Sequence, residues 1–323
     1  MRKLLALAAT VATIAALTGC AAQNPADALM QGAVTTCKSG TEHANVDQIQ
    51  VSTDQTKVPV VNFATPISAK TVETKVVVEG TGSKIVGDQL VDIEYLGVNG
   101  ATGKTFQSSK FDGTNFASQF LKSDQKPDFC GALAGVREGS RVAVLFPAAL
   151  AHGGQGIPDL GVGANDSVVF VFDILKTFLP KALGEEKALP ADFPGVNVVR
   201  AADGTPGITV PKSAAPTELK VATLIQGRGE AVKMGQTVTL HYSGFLWDGK
   251  TKFDSSWDKG QPVQFPLTKG SLIDGFLKAV DGQKIGSQVV AVIPPKDGYG
   301  SVAQGSIPAN STLIFVIDIL GAN

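Results

Sequence analysis

Residues 240–256, LHYSGFLWDGKTKFDSS, have an earlier counterpart in the same chain, IEYLGVNGATGKTFQSS at 93–109. A duplicated unit constrains a fold more than any single motif, because both copies must bury the same pattern of side chains. The landmarks recur in order. Gly82 precedes Tyr95 by thirteen residues, as Gly229 precedes Tyr242, and Tyr95 precedes Phe106 by eleven, as Tyr242 precedes Phe253. GVREGSRVAVLFP (135–147) parallels GQKIGSQVVAVIPP (282–295), and SVVFVFDIL (167–175) parallels STLIFVIDIL (311–320). One difference stands out: Asp254 follows the phenylalanine in the later copy, and Gln107 follows it in the earlier one.

Each copy is mainly strand. In QTVTLHY, Val238, Leu240 and Tyr242 alternate with Thr237, Thr239 and His241, which predicts a strand with one apolar face. QLVDIEY repeats the pattern with Asp92 and Glu94 on the outward side. In SLIDGFLKAVDG (271–282) the period changes: Leu272, Phe276 and Val280 fall at i, i+4 and i+8, a short amphipathic helix closed by Gly282. FCGALAG (129–135) is its weaker partner. The expected fold class is α+β, two units of about 110 residues each with a sheet wrapped over one short helix. Thirty-six glycines and seventeen prolines suit such a turn-rich chain, and 43% hydrophobic residues suffice for two cores.

The chain opens with MRKLLALAATVATIAALTGC. Arg2 and Lys3 form a basic start, and Leu4 to Thr18 form an apolar run of about fifteen residues, short of the roughly 20 of a spanning helix. Leu17-Thr18-Gly19-Cys20 resembles a bacterial lipobox. The expectation is a signal peptide over 1–19 and a lipid on Cys20, which would anchor an exported protein to the cell membrane. An ordinary secretory signal or an uncleaved anchor is the alternative. Export leaves Cys37 and Cys130 as a possible disulfide, with two free thiols as the alternative; their spacing matches neither a CxxC redox site nor a zinc site. Residues 20–56 read as a polar stem, 57–178 as the first domain, 179–217 as a Pro/Gly-rich linker and 218–323 as the second domain.

HYSGFLWDGKTKFDSS, LIDGFLKAVDGQKIGS, IPPKDGYG and IPANSTLIFVIDIL together resemble the FKBP-type peptidyl-prolyl cis/trans isomerases, over residues 220–320. The resemblance implies a curved antiparallel sheet around a short helix, and an apolar cleft that receives a proline ring. Tyr242, Phe253, Asp254, Phe276, Tyr299 and Phe315 would form its catalytic set. Leu272, Ile273 and Ile307 would contact substrate, with Val263 where an aromatic is common in the family, leaving one wall thinner. The Ile273 N–H and the Tyr299 hydroxyl would orient substrate carbonyls. In the first copy Tyr95, Phe106, Phe129 and Phe170 align with Tyr242, Phe253, Phe276 and Phe315. Gln107 replaces the acid there, and PAALAHG puts His152 at the tyrosine position, so the resemblance implies a degenerate domain that keeps scaffold without site.

The resemblance implies no cofactor, and its expected clients are proline-containing exported polypeptides. His43, His152 and His241 are dispersed, which argues against a metal site or a Ser-His-Asp triad. GGQGIPDLGVG (153–163) lacks the GKS/T of a phosphate loop. A net charge of −1 gives no general attraction to nucleic acid. A non-catalytic holdase using two apolar clefts is the rival reading, and the oligomeric state is left open.

Overall fold

The structure, a computed structural model, describes residues 24–38, 44–123, 125–249 and 251–323. The signal-like segment, Cys20 and His43 lie outside the described residues. A short helix α1 (Pro25–Leu29) and a hairpin of β1 (Gln50–Val51) and β2 (Val61–Asn62) precede the first large sheet. That sheet comprises β3 (Glu73–Val78), β4 (Gln89–Asn99), β5 (Thr105–Ser108), β6 (Ala117–Leu121), β7 (Arg141–Phe146) and β8 (Val168–Thr177). Its order is β5-β4-β8-β7-β3 with β6 also on β4, and helix α2 (Phe129–Leu133) packs on one face. A one-turn helix α3 (Ala148–Ala151) follows β7.

The second half repeats this plan. A strand β9 (Gly184–Glu186) and a hairpin of β10 (Asn197–Arg200) and β11 (Pro206–Thr209) come first. The sheet then holds β12 (Lys220–Gly227), β13 (Thr237–Leu246), β14 (Lys252–Ser255), β15 (Val263–Pro266), β16 (Gln288–Ile293) and β17 (Leu313–Ala322), in the order β14-β13-β17-β16-β12-β9 with β15 on β13. Helix α4 (Asp274–Val280) lies under it. The pairings among these strands are antiparallel, so the expected α+β class holds. The copies agree in register as well: Tyr242 pairs with Ile317 and Gly244 with Phe315, as Tyr95 pairs with Phe172 and Gly97 with Phe170. Glycine is required at both positions. A Cβ on Gly244 would lie 2.5 Å from the Phe253 ring, and one on Gly97 2.6 Å from the Phe106 ring.

Two expectations are corrected. Within the stretches read as stem and linker, residues 44–56 and 179–217 hold structured covers for the outer sheet faces. In the second copy Val196, Val198 and Ile208 pack on Phe245, Val290, Ile314 and Val316. In the first, Val46, Ile49, Val51 and Val61 pack on Leu96, Ala143, Val169 and Val171. The two hairpins share one register, Gln50 opposite Asn62 and Asn197 opposite Thr209, so the duplication includes them. The cause is that β16 and β17 carry apolar residues on both faces, each side chain contributing about 1.5–3 kcal/mol when fully buried. Nor do Asp92 and Glu94 face solvent. Both are buried, Asp92 accepting from Ser118 Oγ at 2.5 Å and Glu94 from the Asp112 N–H at 2.8 Å.

Each hairpin is fastened by a buried polar pair at equivalent positions. In the first copy Arg141 and Asp173 form a two-point ion pair at 2.6 and 2.7 Å, and the other Arg141 N–H groups reach the carbonyls of Ser52, Asp54 and Lys57. In the second, Gln288 donates to Asp318 at 2.7 Å and Arg200 of the hairpin donates to Gln288 at 2.9 Å. Cys37 and Cys130 are joined by a disulfide that ties the segment before the first hairpin to α2. The copies meet through Leu90, Phe178, Leu179, Leu183 and Leu320, and Leu179 N–H donates to Leu320 O at 3.0 Å.

Candidate functional site

Between α4 and the concave face of the second sheet lies an open cavity of about 690 Å³. Strand alternation aims Tyr242 from β13 and Phe315 from β17 into it, and helical spacing places Phe276 beneath them. The rings contact edge to face: Phe276 to Phe315 at 5.1 Å and 87°, Phe276 to Tyr242 at 6.1 Å and 88°. Phe253 from β14 meets Phe315 at 5.5 Å. Such pairs fix ring positions beyond the effect of burial alone. Leu272 and Ile273 enter from the turn before α4, and Tyr299, 37% exposed, stands at the mouth. Ile307 is presented by a loop closed on itself, with Gln304 and Ile307 exchanging two backbone hydrogen bonds of 2.9 Å.

Nine of the ten residues expected at the site line this cavity. Val263 does not. It packs against the core from β15, opposite Leu240. Phe265, two residues on and therefore on the same strand face, supplies the wall instead, 6.1 Å from the Tyr242 ring and 6.4 Å from Phe276. The wall expected to be thin is aromatic, and the period-two spacing from Val263 was the signal for it. Gln304, Gly305 and Ser306 also line the rim, where no periodic pattern marks them.

The polar side of the cavity is one connected group. The Tyr242 hydroxyl donates to Asp254 Oδ2, Lys259 Nζ lies 2.6 Å from Asp254 Oδ1, and the Ser255 N–H donates to the same oxygen at 2.9 Å. Partial burial pushes the Asp254 carboxyl up. The Lys259 and Tyr242 hydrogen bonds, with the Lys259 charge, outweigh that and hold it below its ordinary value. Burial first, then the hydrogen bond to Asp254 and after it the Asp254 charge, push the Tyr242 hydroxyl above its ordinary value. Near neutral pH the pair is therefore a phenol donating to a carboxylate. His241 faces away from the cavity, yet it is buried. Its ring stacks on Trp257 at 3.8 Å, and burial lowers its pKa to about 4, so it is uncharged near pH 7.

The equivalent region of the first copy carries two further phenylalanines, Phe146 and Phe172. Phe129 packs edge-on against Phe146, Phe170 and Phe172 at 5.7, 6.0 and 5.5 Å. Phe146 and Phe172 occupy the positions of Ile293 and Ile317. Gln107 Nε2 donates to the Tyr95 hydroxyl at 2.9 Å, so the tyrosine now accepts where its counterpart donates. His152 is committed to its own loop: Nδ1 accepts from the Gly156 N–H at 2.9 Å, leaving Nε2 to donate to Asp166 O at 2.9 Å. Neither ring nitrogen is offered to a ligand in that arrangement.

Residues 228–320 match the family model described as FKBP-type peptidyl-prolyl cis-trans isomerase. A probable FK506-binding protein of Corynebacterium glutamicum is 38% identical over 117 residues, 36% of this chain and 98% of that protein. The FKBP-type peptidyl-prolyl cis-trans isomerase FkpA of Aeromonas hydrophila is 43% identical over 94 residues, 29% of this chain and 34% of its own length. Among solved structures, FkpA from Escherichia coli is 32% identical, covering 39% of this chain and 51% of that one with a TM-score of 0.31. The three FKBP domains of wheat FKBP73 are 21% identical, covering 78% of this chain and 94% of that one with a TM-score of 0.34. With its aromatic cavity lying inside the matched region, this chain belongs to the FKBP-type peptidyl-prolyl cis-trans isomerases.

Proposed function

We propose that the second copy carries the isomerase activity of a membrane-tethered, extracytoplasmic protein that assists the folding of exported polypeptides. The carrying observation is the asymmetry of the repeat: an open aromatic cavity with Asp254 at its rim in one copy, and Gln107 in place of the acid with Phe146 and Phe172 in place of Ile293 and Ile317 in the other. Rotation about a prolyl amide meets a barrier near 18–20 kcal/mol because the C–N bond has partial double-bond character. The twisted transition state loses that resonance and with it much of the charge separation of the planar amide. A dry pocket of Tyr242, Phe253, Phe265, Phe276 and Phe315 therefore disfavours the planar state relative to the twisted one. No bond to the peptide is made or cut, so no nucleophile or metal is required.

In this reading the Tyr299 hydroxyl and the Ile273 N–H orient the substrate carbonyls. Asp254 holds the Tyr242 hydroxyl away from substrate and sets one negative charge at the rim. Tethering rests on Cys20 and the signal-like segment before it. The tests are separate. Exchange NMR on a proline peptide should show faster cis/trans interconversion with the full chain present. Mass spectrometry of the membrane fraction should show a diacylglycerol-modified Cys20 as the first residue. Aggregation suppression without any rate effect would favour the holdase reading.

A further inference from the structure

Lys278 of α4 and Asp297 of the turn Pro295–Asp297 form an ion pair at 2.6 Å. Each stands two residues from a member of the cavity: Lys278 follows Phe276 at the floor, and Asp297 precedes Tyr299 at the mouth. Among the described residues this is the only hydrogen bond or ion pair between the helix and the turn. The other polar bonds of the turn are local or lead elsewhere. The Gly298 and Gly300 N–H groups both donate to Pro295 O, at 3.0 and 2.9 Å, and the Asn310 N–H donates to Gly300 O at 2.8 Å. Lys296 pairs with Glu218, ahead of β12, at 2.6 Å.

Two observations set the Lys278–Asp297 pair apart from an ordinary surface contact. The Asp297 side chain is 13% exposed, against 72% for Glu218, so solvent screens its charge less. The repeat supplies the second. At the common spacing that relates Tyr95 to Tyr242 and Phe129 to Phe276, Lys278 corresponds to Gly131 and Asp297 to Leu150. The copy that has His152 in place of Tyr299 therefore lacks both halves of the pair as well.

We propose that Lys278 and Asp297 are positioning residues for the isomerisation, their bond holding the Tyr299 hydroxyl at a fixed height over the Phe276 floor so that a substrate carbonyl and its proline ring are engaged together. The proposal rests on the isomerase reading above, in which that hydroxyl orients a carbonyl. Neither side chain lines the cavity, so both act through the elements they join. Without the bond the loop spends less time in the competent position, and apparent affinity falls by that fraction. The planar and twisted amides lose the same contact, so the loss falls on KM and leaves kcat.

The test uses the full chain and a short proline peptide, with exchange NMR at several peptide concentrations to separate KM from kcat. Lys278→Met and Asp297→Asn should each raise KM about threefold, the size expected for one partly exposed ion pair, with kcat unchanged. Lys278→Arg should restore the native KM, and Lys296→Met, which removes the neighbouring exposed pair, should leave it as it is. In a Tyr299→Phe background Lys278→Met should add nothing, because the hydroxyl it positions is gone. An unmoved KM in Lys278→Met, an equal rise in Lys296→Met, or an undiminished effect in the Tyr299→Phe background overturns the inference. Hydrogen exchange at the Gly300 N–H needs no turnover. It should quicken about threefold in Lys278→Met, and an unchanged rate overturns the inference whether or not the chain is active. Quickened exchange in a chain that accelerates no prolyl peptide would instead overturn the isomerase reading.

Discussion

The Tyr242 hydroxyl donates to Asp254, whereas at the same point of the first copy Gln107 donates to the Tyr95 hydroxyl. One residue change reverses the polarity of a hydrogen bond on an otherwise shared scaffold. In the second copy it leaves a carboxylate at the rim of an open cavity.

The chain has three tyrosines, Tyr95, Tyr242 and Tyr299, which makes their ionisation countable. Burial and Asp254 raise Tyr242, so its neutral form is favoured by folding, and that stability is lost as pH rises above the ordinary tyrosine value near 10. Tyrosinate absorbance at pH 11 should fall short of three equivalents in the native protein. Asp254→Asn should bring the missing equivalent to lower pH and slow isomerisation by roughly three- to tenfold, since a hydrogen bond to a charged group is weakened rather than removed.

Asp318 is buried without a cation bonded to it, and burial raises its pKa to about 6. A raised carboxyl favours the folded state below its unfolded pKa near 4, and that contribution is lost as pH rises through about 6. Two pKa units correspond to about 3 kcal/mol. Urea unfolding of the native chain minus that of Asp318→Asn should therefore fall by this order between pH 4 and pH 7. A flat difference would mean that Asp318 titrates in the fold as it does in the unfolded chain.

The packed phenylalanines of the first copy should behave as core. Phe172→Ala is expected to cost about 3–5 kcal/mol in urea unfolding, with no loss of isomerase rate while the second copy remains folded. A matching loss of rate would place part of the activity in the first copy.

The disulfide closes a loop with a sequence separation of 93. Loop-closure entropy gives it about 4–5 kcal/mol. Cys37→Ser with Cys130→Ser should lower the unfolding free energy of the first copy by an amount of that order and leave the isomerase cavity working, as measured by tryptophan-independent unfolding and by exchange NMR.

The duplicated landmarks, the inward strand residues and most of the cavity were legible because strand period and helix period place side chains without reference to partners. Tyr242, Phe276 and Phe315 are such cases. The covering hairpins were missed because their strands are only two to four residues long and are set among prolines and glycines. The signal lay elsewhere, in the unbroken apolar runs of Gln288–Ile293 and Leu313–Ala322, which demand cover on both faces.

The central claim is that turnover resides in the cavity around Phe276. It is tested most directly by exchange NMR on a proline peptide with three full-length proteins: native, Phe276→Ala and Phe129→Ala. The account predicts acceleration by the native chain, a loss of at least tenfold in Phe276→Ala with its second copy still folded, and an unchanged rate in Phe129→Ala. Full activity in Phe276→Ala, or a loss confined to Phe129→Ala, would contradict it.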